Sequence, residues 1–212
     1  GDTLGIIGES GSGKSTTALA LMGLLPDGAR VSGSLRIAGQ DMAQAPDAAW
    51  RRLRGKRIAM IFQEPMTALN PVHTIGRQVA EPLRVHEGLG RRAARERALA
   101  LLERVGIPNA AQRLDAYPHQ FSGGQRQRIV IAMALACNPE VLIADEPTTA
   151  LDASVQRQIL GLIAELVQER QMALVLISHD LGVVAHTTQQ VAVMYAGQFV
   201  ETGPTAEVFA KP

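Results

Sequence analysis

The hydrophobic pattern of the chain alternates short apolar runs with longer stretches of helical period. Three segments are predicted as helices: Ser15–Leu25, Gly124–Ala136, and a helix whose apolar face carries positions 155, 159, 162, 163 and 166. Five apolar runs have the length and composition of buried strands, namely Leu4–Ile7, Ile58–Phe62, Val141–Ala144, Ala173–Ile177 and Val191–Tyr195. Because strands that alternate with helices form parallel sheets covered on both faces, the pattern predicts an α/β fold.

Two further segments change this simple picture. The alternation over Val31–Ile37 and Ala38–Gln40 predicts short antiparallel strands joined by a turn. The stretch Thr67–Pro71 is turn-like, and a helical period rich in Arg and Glu then runs from Ile75 to about Leu102. We therefore expect a mostly parallel core with an antiparallel β part, at about 1–65 and 138–212, and a helical subdomain inserted at about 66–137.

Composition and charge narrow the classes of function. The 212 residues are 46% apolar and 19% charged, which is typical of one large folded domain. The net charge of +1 gives no electrostatic footprint for nucleic acid, so we predict no nucleic-acid partner. The arginine-rich segment from Arg91 to Arg97 could be a basic face, but a solvated helix surface is the favoured interpretation.

The single cysteine and the apolar run lengths bear on the cellular setting. Cys137 has no partner for an intrachain disulfide, and no segment approaches the length of a membrane span. We therefore expect a cytosolic chain that reaches a membrane only through partners. The sequence opens at Gly1-Asp2, immediately before the first predicted strand, so we also expect it to be a domain of a longer chain.

The first candidate site lies between the first predicted strand and helix. The stretch Gly8-Glu9-Ser10-Gly11-Ser12-Gly13-Lys14-Ser15 matches the phosphate-binding loop (P-loop) pattern G-x-x-x-x-G-K-[ST] without a mismatch. Its glycines let successive backbone N–H groups turn toward a phosphate. Lys14 supplies a point charge for the β and γ phosphates, and the Ser15 hydroxyl can ligate a bridging Mg²⁺. The alternative, a glycine-rich turn that only caps a helix, is disfavoured by the strand, loop and helix context.

Four polar side chains follow the ends of other predicted strands. Asp145, at the end of its apolar run, can hold the magnesium ion, and Glu146 is suited to polarise an attacking water as a general base. Gln63 can bind the metal or donate to the water at the junction with the helical subdomain. We interpret His179 as a γ-phosphate contact rather than a structural histidine, because it follows a strand beside the P-loop.

A second candidate anion site lies about a hundred residues after the first. Ser122-Gly123-Gly124-Gln125 opens a predicted helix with Ser122 as its cap, and the start of a helix attracts anions. If the two sites lie on different lobes, they cannot easily share one nucleotide within a single chain. Two copies that face each other head-to-tail would complete each other's sites, which predicts a dimer closed by ATP.

Together these stretches resemble the nucleotide-binding domain of ABC transporters. The resemblance covers essentially the whole chain and rests on the P-loop, Gln63, Ser122-Gly123-Gly124-Gln125, Asp145-Glu146, Thr149-Ala150-Leu151-Asp152 and His179, in the family's order. It implies the P-loop NTPase fold and ATP hydrolysis with Mg²⁺. The implied catalytic residues are Lys14, Gln63, Glu146 and His179, and the implied metal contacts are Ser15, Gln63 and Asp145. Nucleotide contacts are implied for the whole P-loop together with Thr16, Gln63, Ser122, Gly123, Gly124, Gln125, Asp145, Asp152 and His179.

The resemblance also implies partners and a substrate class. Ser122 and Gly124 would cap the ATP of an identical or homologous dimer partner, with Leu151-Asp152 at the dimer seam. The wording of Gln63–Pro71, Ala144–Asp152 and Pro118-His119-Gln120 resembles the dipeptide, oligopeptide and nickel importer branch. A member of that branch works peripherally on the cytoplasmic face of the inner membrane. Its partners are integral membrane permease subunits and, indirectly, an extracytoplasmic solute-binding protein.

Two departures and two alternative functions accompany the resemblance. Phe121 replaces the leucine usual before Ser122, and the aromatic residue that stacks on adenine in this family lies upstream of the first residue.

One alternative function is that of a soluble ABC ATPase that acts on ribosomes or DNA. The spacing between the two anion sites leaves no room for the long coiled coil of the DNA-repair proteins. The other is a regulatory module that binds ATP without useful turnover.

Overall fold

The five predicted strands all belong to one six-stranded sheet in the computed structural model, which describes residues 1–37 and 39–210, without the side chains of Pro65 and Met66. The strands of this sheet are β1 Thr3–Gly8, β4 Ile58–Ile61, β5 Val141–Asp145, β6 Ala173–Ile177, β7 Gln190–Tyr195 and β8 Gln198–Pro204. Their order is β4-β5-β6-β1-β7-β8, parallel throughout except for the antiparallel pair β7 and β8. The predicted α/β fold with a mostly parallel sheet is confirmed.

A separate two-stranded sheet supplies a second antiparallel part. It pairs β2 Arg36–Ile37 with β3 Gln40–Asp41, as the sequence predicted, although each strand has only two residues. Ala38, which the sequence placed in the turn between them, lies outside the described residues.

Helices cover both faces of the large sheet. They are α1 Lys14–Leu21, α2 Asp47–Leu53, α3 Pro65–Ala68, α4 Ile75–His86, α5 Arg91–Arg104, α6 Ala110–Arg113, α7 Gly123–Ala134, α8 Ala153–Glu169, α9 Leu181–Thr187 and α10 Thr205–Ala210, with a 3₁₀ turn at Pro118–Gln120. None of the described helices is long and apolar enough to cross a bilayer.

The apolar side chains divide according to the pleat of the sheet. Ala59 and Ile61 of β4 belong to a large core that also contains α4, α5, α7 and α8. Ile58 and Met60 of the same strand point to the opposite face, where they join a smaller core with α1 and α2. Since alternate residues of a strand face opposite sides, one strand contributes to two cores. Helices α4, α5, α7 and α8 thus share a continuous core with the sheet.

Two local predictions differ from the structure. The helix predicted over Ser15–Leu25 ends at Leu21, because Gly23 adopts φ 61° and its backbone packs against the ring of Trp50. Part of the turn predicted at Thr67–Pro71 is helical, since α3 extends to Ala68. The predicted helical stretch after Ile75 consists of two helices, α4 and α5. The sequence pattern did not indicate α2, α6, α9, α10 or β8.

Candidate functional site

The sheet order brings the four candidate strand ends together. Strands β4, β5, β6 and β1 are adjacent and parallel, so their carboxyl ends lie along one edge. Gln63 follows β4, Glu146 follows β5, His179 follows β6, and the P-loop follows β1. In parallel α/β sheets this edge is the usual place for a ligand.

The P-loop has the positive φ angles that glycine adopts readily. Gly13 has φ 105° and directly precedes α1, and Gly8 has φ 155°. A β-carbon on Gly8 would lie 2.1 Å from the carbonyl oxygen of Met194, so only glycine fits there. The loop therefore runs tightly against β7 before it turns into the helix.

Lys14 folds back over this loop. Its ammonium group donates to the carbonyl oxygens of Gly8, at 2.9 Å, and of Glu9, at 2.8 Å. Although it is a lysine, the residue is only 6% exposed. An ammonium group has three N–H donors, and two are occupied by these carbonyls. The third remains to meet a phosphate oxygen.

One cavity joins the P-loop to two side chains that follow other strands, Gln63 and Glu146. It has a volume of about 190 Å³ and is lined by Ser10, Gly11, Gly13, Lys14, Ser15, Thr16, Gln63 and Glu146. The structure thus brings the P-loop, Gln63 and Glu146 into one site.

Asp145 lies at the buried base of this site. It is 4% exposed, and its Oδ1 atom has no hydrogen-bond partner among the described residues. Burial raises the pKa of Asp145 above its ordinary value, and the charge of Glu146 adds to this, while a hydrogen bond with Ser15 and the charge of Lys14 oppose it. A buried carboxylate without full compensation is what a missing cation would leave.

These donors fit Mg²⁺ bound together with phosphate. A carboxylate and a hydroxyl are hard oxygen ligands, and Mg²⁺ is usually held by one or two carboxylates plus substrate phosphates. Within residues 1–37 and 39–210 there is no cluster of three or more His, Cys, Asp or Glu side chains arranged for a metal ion. Asp145 and Ser15 could therefore supply part of a magnesium shell that the phosphates of a ligand would complete.

Glu146 is held at an unusual backbone angle. Its φ is 44°, in the left-handed region that few non-glycine residues occupy, and its N–H donates to the carbonyl of Ile177 at 2.9 Å. Its side chain is 17% exposed. Such strained residues cluster at functional sites, where the surrounding structure holds them in place.

Three side chains contact one oxygen of the Glu146 carboxylate. Gln63 Nε2 donates to Oε2 at 3.1 Å, and His179 Nδ1 lies 3.4 Å from the same atom. The Thr149 hydroxyl also donates to Oε2, at 2.9 Å. The sequence predicted the first two residues as site residues but included Thr149 only within a family motif. The available signal was a hydroxyl residue three positions after the acid, a spacing typical of a tight turn.

Ser122 caps α7, as predicted. Its hydroxyl accepts from the N–H of Gln125 at 3.3 Å, and the Gln125 side chain accepts from the N–H of Ser122 at 3.2 Å, which is a reciprocal capping box. Ser122, Gly123, Gly124 and Gln125 are not among the residues that line the P-loop cavity. The two predicted anion sites are therefore separate within one chain.

Asp152 lies beside this second helix start. Its carboxylate caps α8 by accepting from the N–H groups of Ser154 and Val155, and the hydrogen bond from the Ser154 hydroxyl is the main cause that lowers the pKa of Asp152. The preceding Leu151 approaches Gly123, where a β-carbon would lie 3.4 Å from its Cδ2. The two predicted interface segments thus lie next to each other.

Comparisons with known proteins agree with this geometry. Residues 1–149 match the family model described as ABC transporter. The whole chain aligns at 55% identity with a Brucella melitensis protein provisionally named a peptide import ATP-binding protein, and at 53% with the dipeptide transport ATP-binding protein DppD of Escherichia coli K12. The chain spans 65% of the length of each of these relatives.

Solved structures give the same fold. A dimeric structure of the ATP-binding cassette MJ0796 bound to ADP and Pi has a TM-score of 0.83 at 29% identity and covers 96% of this chain and 85% of its own. The structure of cbiO1 from Clostridium perfringens, part of an ABC transporter complex, has a TM-score of 0.82 at 29% identity and covers 99% of this chain and 80% of its own.

Proposed function

The chain belongs to the ABC transporter family, and we propose that it is the ATP-hydrolysing part of a transporter that imports peptides or similar small solutes. The single observation that carries the hydrolytic part is the cavity in which Lys14 and the P-loop face Gln63 and Glu146. The transport part is supported by the names of the relatives, which refer to peptide import and dipeptide transport.

The residues of the cavity suggest how ATP is held. The backbone N–H groups of the P-loop and the start of α1 surround the β and γ phosphates, and the free N–H of Lys14 adds a positive charge. Ser15 and Asp145 would hold Mg²⁺, which when bound would supply positive charge to the phosphate oxygens. No large rearrangement of the loop is required, since Lys14 already lies across it.

Hydrolysis then needs a base and an aligned water. Glu146 accepts a proton from the water as the water oxygen bonds to the γ-phosphorus. The bond from the γ-phosphorus to the bridging oxygen breaks, and ADP leaves with that electron pair. Gln63 orients the water, and His179 contacts the γ-phosphate. All of these groups lie at the carboxyl ends of adjacent strands, so small side-chain movements suffice to align them.

The separation of the two anion sites supports a dimer. Ser122 and Gly124 of one copy would cap the ATP held by the P-loop of an identical or homologous partner, with Asp152 at the seam. Both structures of the MJ0796 cassette are dimeric, which supports this proposal.

We further propose that the chain divides into a core, at about 1–65 and 138–212, and a helical subdomain at about 66–137 that docks on integral membrane permease subunits. An extracytoplasmic solute-binding protein would deliver the solute to those subunits. The complex would lie at the cytoplasmic face of the inner membrane, with this chain peripheral to it.

The test is ATP turnover by the full-length protein purified with the membrane subunits that accompany it. We expect the Glu146→Gln variant to bind ATP normally, to lose turnover by roughly a thousandfold, about 4 kcal/mol, and to accumulate as an ATP-bound dimer. Unchanged turnover in this variant would refute the role of Glu146. Co-purification with ribosomes or DNA instead of membrane subunits would favour a soluble ABC ATPase, and ATP binding without phosphate release would favour a regulatory module.

A further inference from the structure

Thr149 is bound to Glu146 at two points. Its N–H donates to the Glu146 carbonyl at 3.2 Å, and its hydroxyl donates to the Glu146 carboxylate at 2.9 Å. Both contacts lie within one turn of chain between β5 and α8. These two hydrogen bonds therefore link Thr149 to Glu146 independently of the contacts that Glu146 makes with residues of other strands.

The other two contacts of the same carboxylate are of a different kind. Gln63 and His179 come from the ends of other strands, and the His179 side chain is 69% exposed. In the proposed function both residues turn to the nucleotide or its water, so their contacts with Glu146 compete with the ligand. Only the Thr149 contact is independent of that competition.

All three contacts fall on Oε2. A carboxylate with one oxygen fixed by a donor presents its other oxygen in a defined direction, which is the geometric requirement for a general base. The left-handed backbone of Glu146 fixes the direction in which its side chain leaves the main chain. The last torsion of a glutamate side chain, χ3, has a broad distribution, so the carboxylate needs a further contact to fix its orientation.

We propose that Thr149 is a positioning residue for ATP hydrolysis: its hydroxyl fixes Oε2 of Glu146, so that Oε1 is the oxygen that accepts the proton of the attacking water. This inference rests on the proposed function, because it requires Glu146 to act as the base. It assigns Thr149 no contact with the nucleotide. The alternative is that the hydroxyl only stabilises the turn, as Ser and Thr often do near a backbone bend.

Three variants separate positioning from turn stability. Thr149→Val keeps the shape and removes the hydroxyl, and Thr149→Ser keeps the hydroxyl and removes the methyl group. Thr148→Val is the matched control, because it makes the same substitution at the neighbouring threonine, which is half-buried like Thr149. Each is made in the full-length protein with its membrane subunits.

We expect Thr149→Val to lower kcat for ATP by about tenfold to a hundredfold, with KM changed less than about twofold, since the hydroxyl acts on the chemical step. The kcat of Thr149→Ser should stay within about threefold of the kcat of the unaltered protein, and the kcat of Thr148→Val should equal that of the unaltered protein. The urea midpoints of all three should agree. In a Glu146→Gln background, Thr149→Val should lower the residual turnover no further, because the two residues act as a unit.

The outcomes distinguish this inference from the function on which it rests. Normal kcat in Thr149→Val, while Glu146→Gln is inactive, would overturn the inference alone. An equal loss in Thr149→Ser and Thr149→Val, or a loss of kcat that follows the urea midpoint, would also overturn it. An unaltered protein without turnover, or an active Glu146→Gln variant, would overturn the proposed function and this inference together.

Discussion

Gly124 lies directly against Val155, so that a β-carbon at position 124 would stand 2.7 Å from Val155 Cγ1. This contact joins the first turn of α7 to the first turn of α8. It places the Ser122 cap and the Asp152 cap at a fixed separation. A side chain at position 124 must therefore displace the Val155 side chain or move one helix start relative to the other.

We expect Gly124→Ala to impair the proposed dimer site more than it impairs the fold. The added methyl group overlaps the Val155 side chain, so we expect a loss of about 1 to 2 kcal/mol in stability and at least tenfold in ATP turnover. Urea unfolding and phosphate release measure the two effects. The control is Gly161→Ala in the interior of α8, where a β-carbon meets nothing within 4 Å; it should stabilise the protein by about 0.5 to 1 kcal/mol. Equal turnover in both variants would contradict the expectation.

We expect Gly23→Ala to be among the most destabilising glycine substitutions. Gly23 has φ 61°, and a β-carbon there would lie 2.3 Å from Cε2 of Trp50, a buried ring of the core formed with α1 and α2. Both the backbone angle and the overlap oppose alanine, so the expected loss is about 2 to 4 kcal/mol by urea unfolding.

Gly28→Ala provides the comparison for Gly23→Ala. Gly28 has φ 88°, but a β-carbon there meets nothing within 4 Å. Its replacement should lower the free energy of unfolding only through the strain of alanine at positive φ, by about 1 to 2 kcal/mol. If the two variants unfold at the same urea concentration, the contact with Trp50 does not matter.

We expect Asp145→Asn to stabilise the protein without ligand at neutral pH. Because burial raises the pKa of Asp145 in the folded state, the folded protein binds a proton more tightly there than the unfolded chain does. The free energy of unfolding therefore falls as the pH rises from the pKa of Asp145 in the unfolded chain through its raised pKa in the folded protein. The gain from Asp145→Asn should therefore grow as the pH rises above the ordinary aspartate pKa of about 3.9, and it should vanish at about pH 3.

The response to ligand should be opposite. Mg²⁺ with ATP should raise the melting temperature of the unaltered protein more than that of Asp145→Asn, because the amide carries no charge to balance the cation. Thermal unfolding with and without the ligand measures this difference. A destabilised Asp145→Asn variant at pH 7 would indicate that the buried carboxylate is fully compensated in the free protein.

The sequence located the site because its residues follow strands. Gln63, Asp145 with Glu146, and His179 each come directly after an apolar run, and the ends of parallel strands meet at one edge. Local pattern could not give the order of the strands, which depends on pairing between distant segments. It also could not predict the left-handed backbone of Glu146 or the three side-chain contacts at its Oε2. These features depend on atomic positions that are defined to within an ångström only in the folded structure.

The missed elements have equally specific reasons. Gly23 ends α1, yet Leu24 and Leu25 continue the apolar pattern, so the helix was predicted to be too long. Strand β8 pairs only at the sheet edge beside β7, and most of its residues are exposed, so it lacks the apolar run that marked the other strands. In each case a tertiary contact decided what the local pattern left open.

The core shared by the sheet and the inserted helices limits how this molecule can change shape. Ile61 and Leu142 of the sheet are buried in the same cluster as Val79 and Leu83 of α4. Separating the helices from the sheet would wet this surface at about 25 cal/mol for every Å² exposed. A conformational change that couples α4 to the sheet must therefore proceed by sliding or tilting of the packed surfaces, without exposing the apolar core to water.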